Sequence, residues 1–456
     1  MTEPFHRIGA AGLLVLAYVA MCLAIWWRQR RRHAAATRAA TALAGDGAPS
    51  PMLVVFATQT GQAEAIAWQT GRALHAKGTP VRVLSLNDVD AETLRAAQRA
   101  LFVVSTYGEG DAPDGASLFT ERWMGTAETL PTLPTLSYAL LALGDRQYDR
   151  FCGFGRALDA WLQSTGAVPV APRIEVDNGD PAALAGWHAQ WGGGEASGAA
   201  EAATEFAPWR LVRRELLNPG SEGGPVYHLG FQAPHGVVPD WQSGDLVQVA
   251  LVNDPARPRD YSIASIPSDG ELQLLVRQER HPDGTLGAAS GLLTSTLALG
   301  DSVAMRLRPH GNFRLDRNAA RPLILIGNGT GLAGLRGHLR ARAAAGQREN
   351  WLLFGERKAS HDFLCRGELE AWRDSSTLRR LDMVFSRDQA ERLYVQHRLL
   401  QLGDEVRDWL ARGAAIYVCG SLQGMAAGVD AALRELAGDA QMRALAAERR
   451  YCRDVY

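Results

Sequence analysis

Short apolar runs recur along the first third of the chain, each followed by a polar loop and then an amphipathic stretch. MLVVFA (52–57), VRVLSL (81–86), ALFVVST (100–106) and SYALLALG (137–144) read as strands, and QAEAIAWQTGRALHAKG reads as a helix ending at Gly78. Apolar strands alternating with helices predict a parallel, doubly wound sheet buried on both faces. The pattern then breaks at GGGEASGAAEAATEFAP (192–208), a composition expected to be a flexible linker spanning roughly 20 Å as a coil. Beyond it, GPVYHLGFQ, GDLVQVALV, RDYSIAS, ELQLLVRQ and DSVAMRLRP are strands separated by Gly and Pro turns, which predicts an antiparallel β-barrel. From Pro322, PLILIGNGTGLAGLRGHLRAR restarts βα alternation, continued by NWLLFGER, RRLDMVFSR and AAIYVCGS. The expected fold class is therefore α/β, with a doubly wound sheet over 51–191, a linker over 192–208, a β-barrel over 209–316 and a second βα domain over 321–456.

The N-terminus follows a different pattern. IGAAGLLVLAYVAMCLAIWW, Ile8 to Trp27, carries no charge and has about the ~20 residues that span a bilayer. Trp26 and Trp27 sit where interfacial aromatics belong, and Arg28, Arg30, Arg31 and Arg32 follow at once. The expectation is one transmembrane anchor over 8–27, a juxtamembrane tether over 28–50, and a single-pass inner-membrane protein whose bulk faces the cytoplasm. A cleaved signal peptide is the competing reading, disfavoured by the arginines after the apolar run and by the distance to ALA at 42–44.

Composition narrows the chemistry. The 48 basic and 49 acidic residues nearly cancel, giving no electrostatic case for nucleic acid. The 5 cysteines, Cys22, Cys152, Cys365, Cys419 and Cys452, are scattered and form no C-x-x-C pair, which argues against a disulfide framework, a zinc site, an iron–sulfur cluster and covalent haem.

FATQTGQAE (56–64) leaves the first strand and opens a helix. Backbone N–H groups there bind anions, with Thr58, Gln59 and Thr60 adding neutral donors. No Gly-Lys-Ser/Thr follows, so a nucleoside triphosphate with magnesium is disfavoured. Alone, such a turn is more often a helix cap than a ligand site. STYGEGDAPD (105–114) and LGDRQYDRFCGFG (143–155) also leave strand C-termini, where ligands sit in open α/β sheets. Each carries a tyrosine able to face a planar ring. The three loops together resemble the flavodoxin domain of diflavin reductases. That resemblance implies FMN, its phosphate held by Thr58, Gln59, Thr60 and Gly61 and its ring flanked by Tyr107 and Tyr148. Ser105, Thr106, Gly108, Gly144 and Phe151 complete the loops, and Asp177 in VDNGD also reaches toward them.

In the barrel, RDYS (259–262) offers Arg259 to a pyrophosphate and Tyr261 to a ring. GAAS contributes Gly287, Ala288, Ala289 and Ser290. With the βα domain behind them, these look like the FAD module of the ferredoxin–NADP reductase superfamily, and the resemblance implies FAD and NADPH. Gly329, Thr330 and Gly331 in GNGTG would carry the dinucleotide's pyrophosphate. Ser386, Arg387, Arg392, Tyr394 and Gln396 in SRDQAERLYVQH resemble the family's clamp on the 2′-phosphate; the family usually has Lys where Arg392 stands, which changes geometry while keeping charge. The resemblance also assigns the C-terminal Tyr456 to a ring lying over FAD, and Ser262, Cys419 and Asp454 to the groups around the reacting atoms. A lone buried Cys is otherwise an ordinary core residue.

Two motifs depart from the family pattern, AGL for APF and CGS for CGD. The large helical segment that the microsomal cytochrome reductases and the sulfite reductase flavoprotein insert before the RDYS strand is missing. The implied function is an NADPH-dependent diflavin oxidoreductase that passes electrons from NADPH to FAD to FMN and on to a one-electron acceptor. That acceptor would be a haem protein, a sulfite reductase haemoprotein or a ferric-siderophore-reducing membrane partner. A redox-inert scaffold retaining the flavoprotein fold is the alternative. Acidic residues around the first-sheet loops, Glu109, Asp111, Asp114, Asp145 and Asp149, would suit a basic partner surface or simply form a solvated rim.

Overall fold

The computed structural model describes residues 51–59, 61–108, 110–125, 132–146, 150–192, 206–251 and 254–456. Among these residues the chain forms three sheets. The first contains β1 (Met52–Ala57), β2 (Val81–Ser85), β3 (Arg99–Ser105), β4 (Ser137–Gly144), β5 (Val168–Pro169) and β6 (Ile174–Asp177). They run in the order β2-β1-β3-β4-β5 with β6 also on β4, all parallel. This is the order of a flavodoxin-like sheet. Successive side chains point to opposite faces, so the apolar runs feed two cores. Leu53, Val55 and Ala57 enter one core with Phe102 and Leu140. Met52 and Val54 enter the other with Leu101, Val103 and Leu141, under helix α1 (Gln62–Ala76).

The barrel comprises β7 (Ala207–Leu216), β8 (Val226–Gln232), β9 (Leu246–Leu251), β10 (Asp254–Ser262), β11 (Leu272–Arg277) and β12 (Ser302–Arg308), ordered β10-β9-β12-β7-β8-β11 and antiparallel. Its strands alternate, and one inner face is filled by Trp209, Leu211, Phe231, Val247, Leu274 and Met305. Strand β7 was not among the expected strands, and it begins inside the stretch read as linker. Only Trp209 and Leu211 of it are buried, while Arg210, Arg213, Arg214 and Glu215 dominate its sequence, so its apolar signal is weak. Residues 193–205 of the expected linker lie outside the described residues.

The third sheet, β13 (Leu323–Asn328), β14 (Asn350–Glu356), β15 (Arg380–Phe385), β16 (Ala415–Gly420) and β17 (Tyr451–Val455), is parallel in the order β15-β14-β13-β16-β17. Again one strand serves two cores: Ile324 and Ile326 lie on one side, Leu323 and Leu325 on the other. Helix α2 (Leu332–Ala344) follows the GNGTG turn. A Cβ at Gly331 would lie 2.1 Å from the Cys419 carbonyl oxygen, so only glycine lets this turn cross β16.

The expectation of an inner-membrane, single-pass protein is corrected here. Among the described residues no helix is long and apolar enough to cross a membrane. The longest, α1, has 15 residues and carries Glu64, Arg72 and His75, where a span needs ~20 predominantly apolar ones. The run 8–27 and the tether 28–50 lie outside the described residues.

Candidate active site

Strand β17 organises the site. Cys419 on β16 and Asp454 on β17 stand opposite each other in register, and Ser262 reaches them from the end of β10 in the barrel. The Ser262 hydroxyl donates to Asp454 Oδ2 at 2.7 Å, and the Cys419 thiol points at the same oxygen from 3.7 Å. All three side chains are buried. Burial pushes the Cys419 thiol well above its usual range, and the neighbouring carboxylate adds to the effect. The thiol therefore stays protonated and serves as a donor rather than a nucleophile.

Tyr456 follows directly. Its N–H donates to Gly420 O at 3.0 Å, its carbonyl accepts from Leu422 N at 3.0 Å, and its phenol donates to Thr330 Oγ1 at 3.3 Å. The backbone is thus tied down on both sides while the residue stays 54% exposed, set at a cleft of about 1200 Å³. Arg259, Tyr261, Ser262 and the turn Gly287–Ser290 line one part of this cleft. Gly329, Thr330, Ser386, Arg387, Tyr394 and Gln396 line another. Gly331 is buried beneath its turn, and Arg392 is exposed and does not line the cleft. Arg387 leans on Glu222 at 3.5 Å, a carboxylate that also holds Lys358 at 2.7 Å.

The cleft fits the groups the sequence implies. It is large enough for a flavin together with a dinucleotide, and it pairs ring-bearing residues with a glycine turn and cations. Buried Gln396 Oε1 and Glu356 Oε1 have no hydrogen-bond partner there. In the first sheet, Thr58 Oγ1 accepts from Gly61 N at 2.9 Å, closing the turn at the head of α1 with Gly61 at φ 88. Ser105 Oγ donates to Ala57 O at 3.2 Å, Asp177 Oδ1 accepts from Arg146 N at 3.0 Å, and Arg146 covers Phe151. Just past β3, the Thr106 hydroxyl is buried without a partner, as a polar seat for a ligand would be. Thr60, Glu109, Tyr148 and Asp149 lie outside the described residues.

The other side of β17 makes contacts that sequence reasoning missed. Arg453, between Cys452 and Asp454, pairs with Asp114, its Nε lying 3.0 Å from Oδ1. Gln59 Nε2 donates to both Asp114 Oδ2 and Arg453 O at 3.1 Å, and its Oε1 accepts from Asp114 N at 2.8 Å. The Tyr107 phenol donates to Val455 O at 3.2 Å. From the barrel side, Asn312 Nδ2 donates to Thr58 O and Gln59 O, and His310 Nε2 lies 3.1 Å from Gln59 O. Asp114, read from the sequence as part of either a surface for a basic partner or a solvated rim, is engaged within the chain. One five-residue strand supplies Asp454 to the Ser262–Cys419–Asp454 cluster and also meets Gln59, Tyr107 and Asp114 of the first unit.

Residues 54–191 match the family model described as Flavodoxin, and residues 325–431 match the one described as Oxidoreductase NAD-binding domain. A flavodoxin joined to a pyridine-nucleotide oxidoreductase module defines a two-module flavoprotein oxidoreductase. The chain is 27% identical to the sulfite reductase [NADPH] flavoprotein alpha-component of Bacillus subtilis, covering 93% of both chains. It is 28% identical to those of Shewanella sp. (strain MR-7), covering 90% of both, and of Vibrio cholerae, covering 93% of this chain and 90% of the relative. These likenesses support the diflavin reductase family, and the chain is an NADPH-dependent diflavin oxidoreductase whose cofactors are FMN, FAD and NADPH. The first alignment runs over 566 positions although this chain has 456 residues, so the relative carries segments that this chain lacks.

Proposed function

We propose that this compact diflavin reductase delivers single electrons to a haem protein, the flavodoxin-like unit 51–191 serving as the delivering end and the units 209–316 and 321–456 as the receiving end for NADPH. Bound in their seats, the two flavins convert a two-electron donor into single electrons. The residues then have distinct tasks. Thr58, Gly61 and Thr106 seat the FMN end, and Arg259, Tyr261 and the Gly287–Ser290 turn seat FAD. Ser386, Arg387, Tyr394 and Gln396 receive the 2′-phosphate half of NADPH. Ser262, with Asp454 and Cys419 behind it, holds a proton where the donor and acceptor rings meet, and Tyr456 keeps water from that place until the dinucleotide displaces its ring.

The observation that carries this reading is the convergence of Ser262, Cys419 and Asp454, from three separate strands, beside the terminal tyrosine. The test is to purify the chain, extract its flavins and mix it anaerobically with NADPH. One FMN and one FAD per chain, both bleached by NADPH, are expected; a single flavin, or a yellow colour that persists, overturns the reading. A haem protein added afterwards should be reduced only when both flavins are present.

Replacing Tyr456 with Ala removes the ring and its bond to Thr330. An aromatic stack is worth ~0.5–1.5 kcal/mol, and a dinucleotide anchored by its 2′-phosphate displaces the ring more readily than one without it. The NADPH-over-NADH ratio of kcat/KM should therefore fall by up to about tenfold, while Tyr456→Phe should keep most of it. An unchanged ratio in the Ala variant would remove Tyr456 from dinucleotide selection.

A further inference from the structure

Strand β14 ends on a carboxylate that the tasks above leave unused. The side chain of Glu356 is 6% exposed, yet it lines the dinucleotide cleft, and its Oε1 has no hydrogen-bond partner. The nearest cation is Arg277 at the end of β11, whose guanidinium nitrogen lies 3.8 Å from Oε1, beyond hydrogen-bond reach. That nitrogen is also 3.1 Å from where a Cβ on Gly329 would stand. Glu356, Arg277 and the Gly329–Thr330 turn are therefore neighbours. The glycine turn after the first strand of such a sheet is where a dinucleotide's pyrophosphate is held.

We propose that Glu356 is a positioning residue that makes dinucleotide binding proton-linked: its carboxyl and the dinucleotide's pyrophosphate compete for Arg277, so the cleft takes up a proton when a dinucleotide binds. The inference rests on the NADPH-binding role given to this cleft above. Ionised, Glu356 attracts Arg277 and repels the phosphates. Protonated, it releases Arg277 and can itself donate a hydrogen bond.

The charges around the group set where the change falls. Burial, the larger influence, and the charge of Asp362, in the short helix after β14, together raise its pKa from the ordinary carboxylate range to about 7. Arg277 opposes this from β11, as do the guanidinium and backbone N–H of the adjacent Arg357. From the β15 side Ser386 N donates to the Glu356 carbonyl, and Arg387 lines the same cleft while leaning on Glu222. The sign follows. Below about pH 7 the carboxyl is protonated and the cleft is receptive; above it, ionisation weakens binding, by at most tenfold per pH unit.

The experiment measures proton uptake by the purified holoprotein on adding NADP⁺, in lightly buffered solution with an indicator dye at pH 7.5 to 8. The 2′-phosphate, with its second pKa ≈ 6, is already ionised there, and NAD⁺, which lacks it, serves as the control. Both ligands should take up a proton with the wild type and neither with Glu356→Gln. The KM for NADPH should rise severalfold from pH 6.5 to 8.5 in the wild type and stay nearly level in E356Q. Absence of uptake in the wild type, or an E356Q profile that rises in parallel, overturns the proposal. NADPH bleaching of both flavins in E356Q shows that the variant is folded and that the diflavin reading stands whichever way the proton measurement falls.

Discussion

Asp454→Asn is expected to slow the bleaching of flavin by NADPH about 10²-fold, while the KM for NADPH changes only a few-fold. The carboxylate is buried, accepts from Ser262 at 2.7 Å and faces the Cys419 thiol. Asn keeps the shape but removes the charge, and it turns one acceptor atom into a donor. Ser262 then loses the charged acceptor that orients its hydroxyl, and a positioned proton-transfer group contributes typically 10²–10⁴-fold. Ser262→Ala should cost less alone, and the double variant little more than D454N, because the two side chains act as one unit. Stopped-flow absorbance at the flavin band, beside a thermal melt to show folding, decides it. Bleaching of D454N at the wild-type rate would reduce the cluster to a packing feature.

How much of this could be read in advance depends on sequence distance. Most strands of both parallel sheets were legible because they are apolar at successive positions and supply two cores, as Met52–Ala57 and Leu323–Ile326 do. The short exposed β5 and the half-buried β6 carry no such run and were not among the expected strands. Strand β7 was not, since two inward residues among arginines and a glutamate carry little signal. The resemblance assigned the C-terminal Tyr456 to a ring lying over FAD, and the fold supplies a strand, Tyr451–Val455, with Tyr456 just beyond it at the cleft. Ser262 and Asp454 are 192 positions apart, and no local pattern links them; only a family resemblance nominated both. No motif announced Arg453, which meets Asp114 across 339 positions. Glu356 was invisible for another reason. A glutamate after a strand is ordinary until its burial and its missing partner are known.

The docking of the two modules through β17 yields the other large effect. Asp114 and Arg453 are each about four-fifths covered, and Gln59 braces both. Arg453→Glu sets two carboxylates against each other in that enclosure. Breaking a buried pair costs ~3–5 kcal/mol, and with the solvent access that remains about 3 kcal/mol is expected, which is on the order of 10²-fold in the docking equilibrium. The first bleaching phase, confined to the NADPH side, should stay within severalfold of wild type, whereas passage to the flavodoxin module and on to an added haem acceptor should fall by about 10²-fold. Combining Arg453→Glu with Asp114→Arg reverses the pair and should recover most of the loss, an outcome that a merely misfolded strand could not give. The outer pairs from Glu121 to Arg434 and Arg443 are more exposed, so salt should weaken them and leave the covered pair largely intact. If R453E transfers at the wild-type rate, or if the swapped pair fails to rescue it, β17 does not set the contact through which the modules exchange electrons. With the pair required, the strand that holds Asp454 and leads into Tyr456 also fixes the approach of the second flavin's domain. A displacement of β17 would then act on NADPH entry and on electron exit at once.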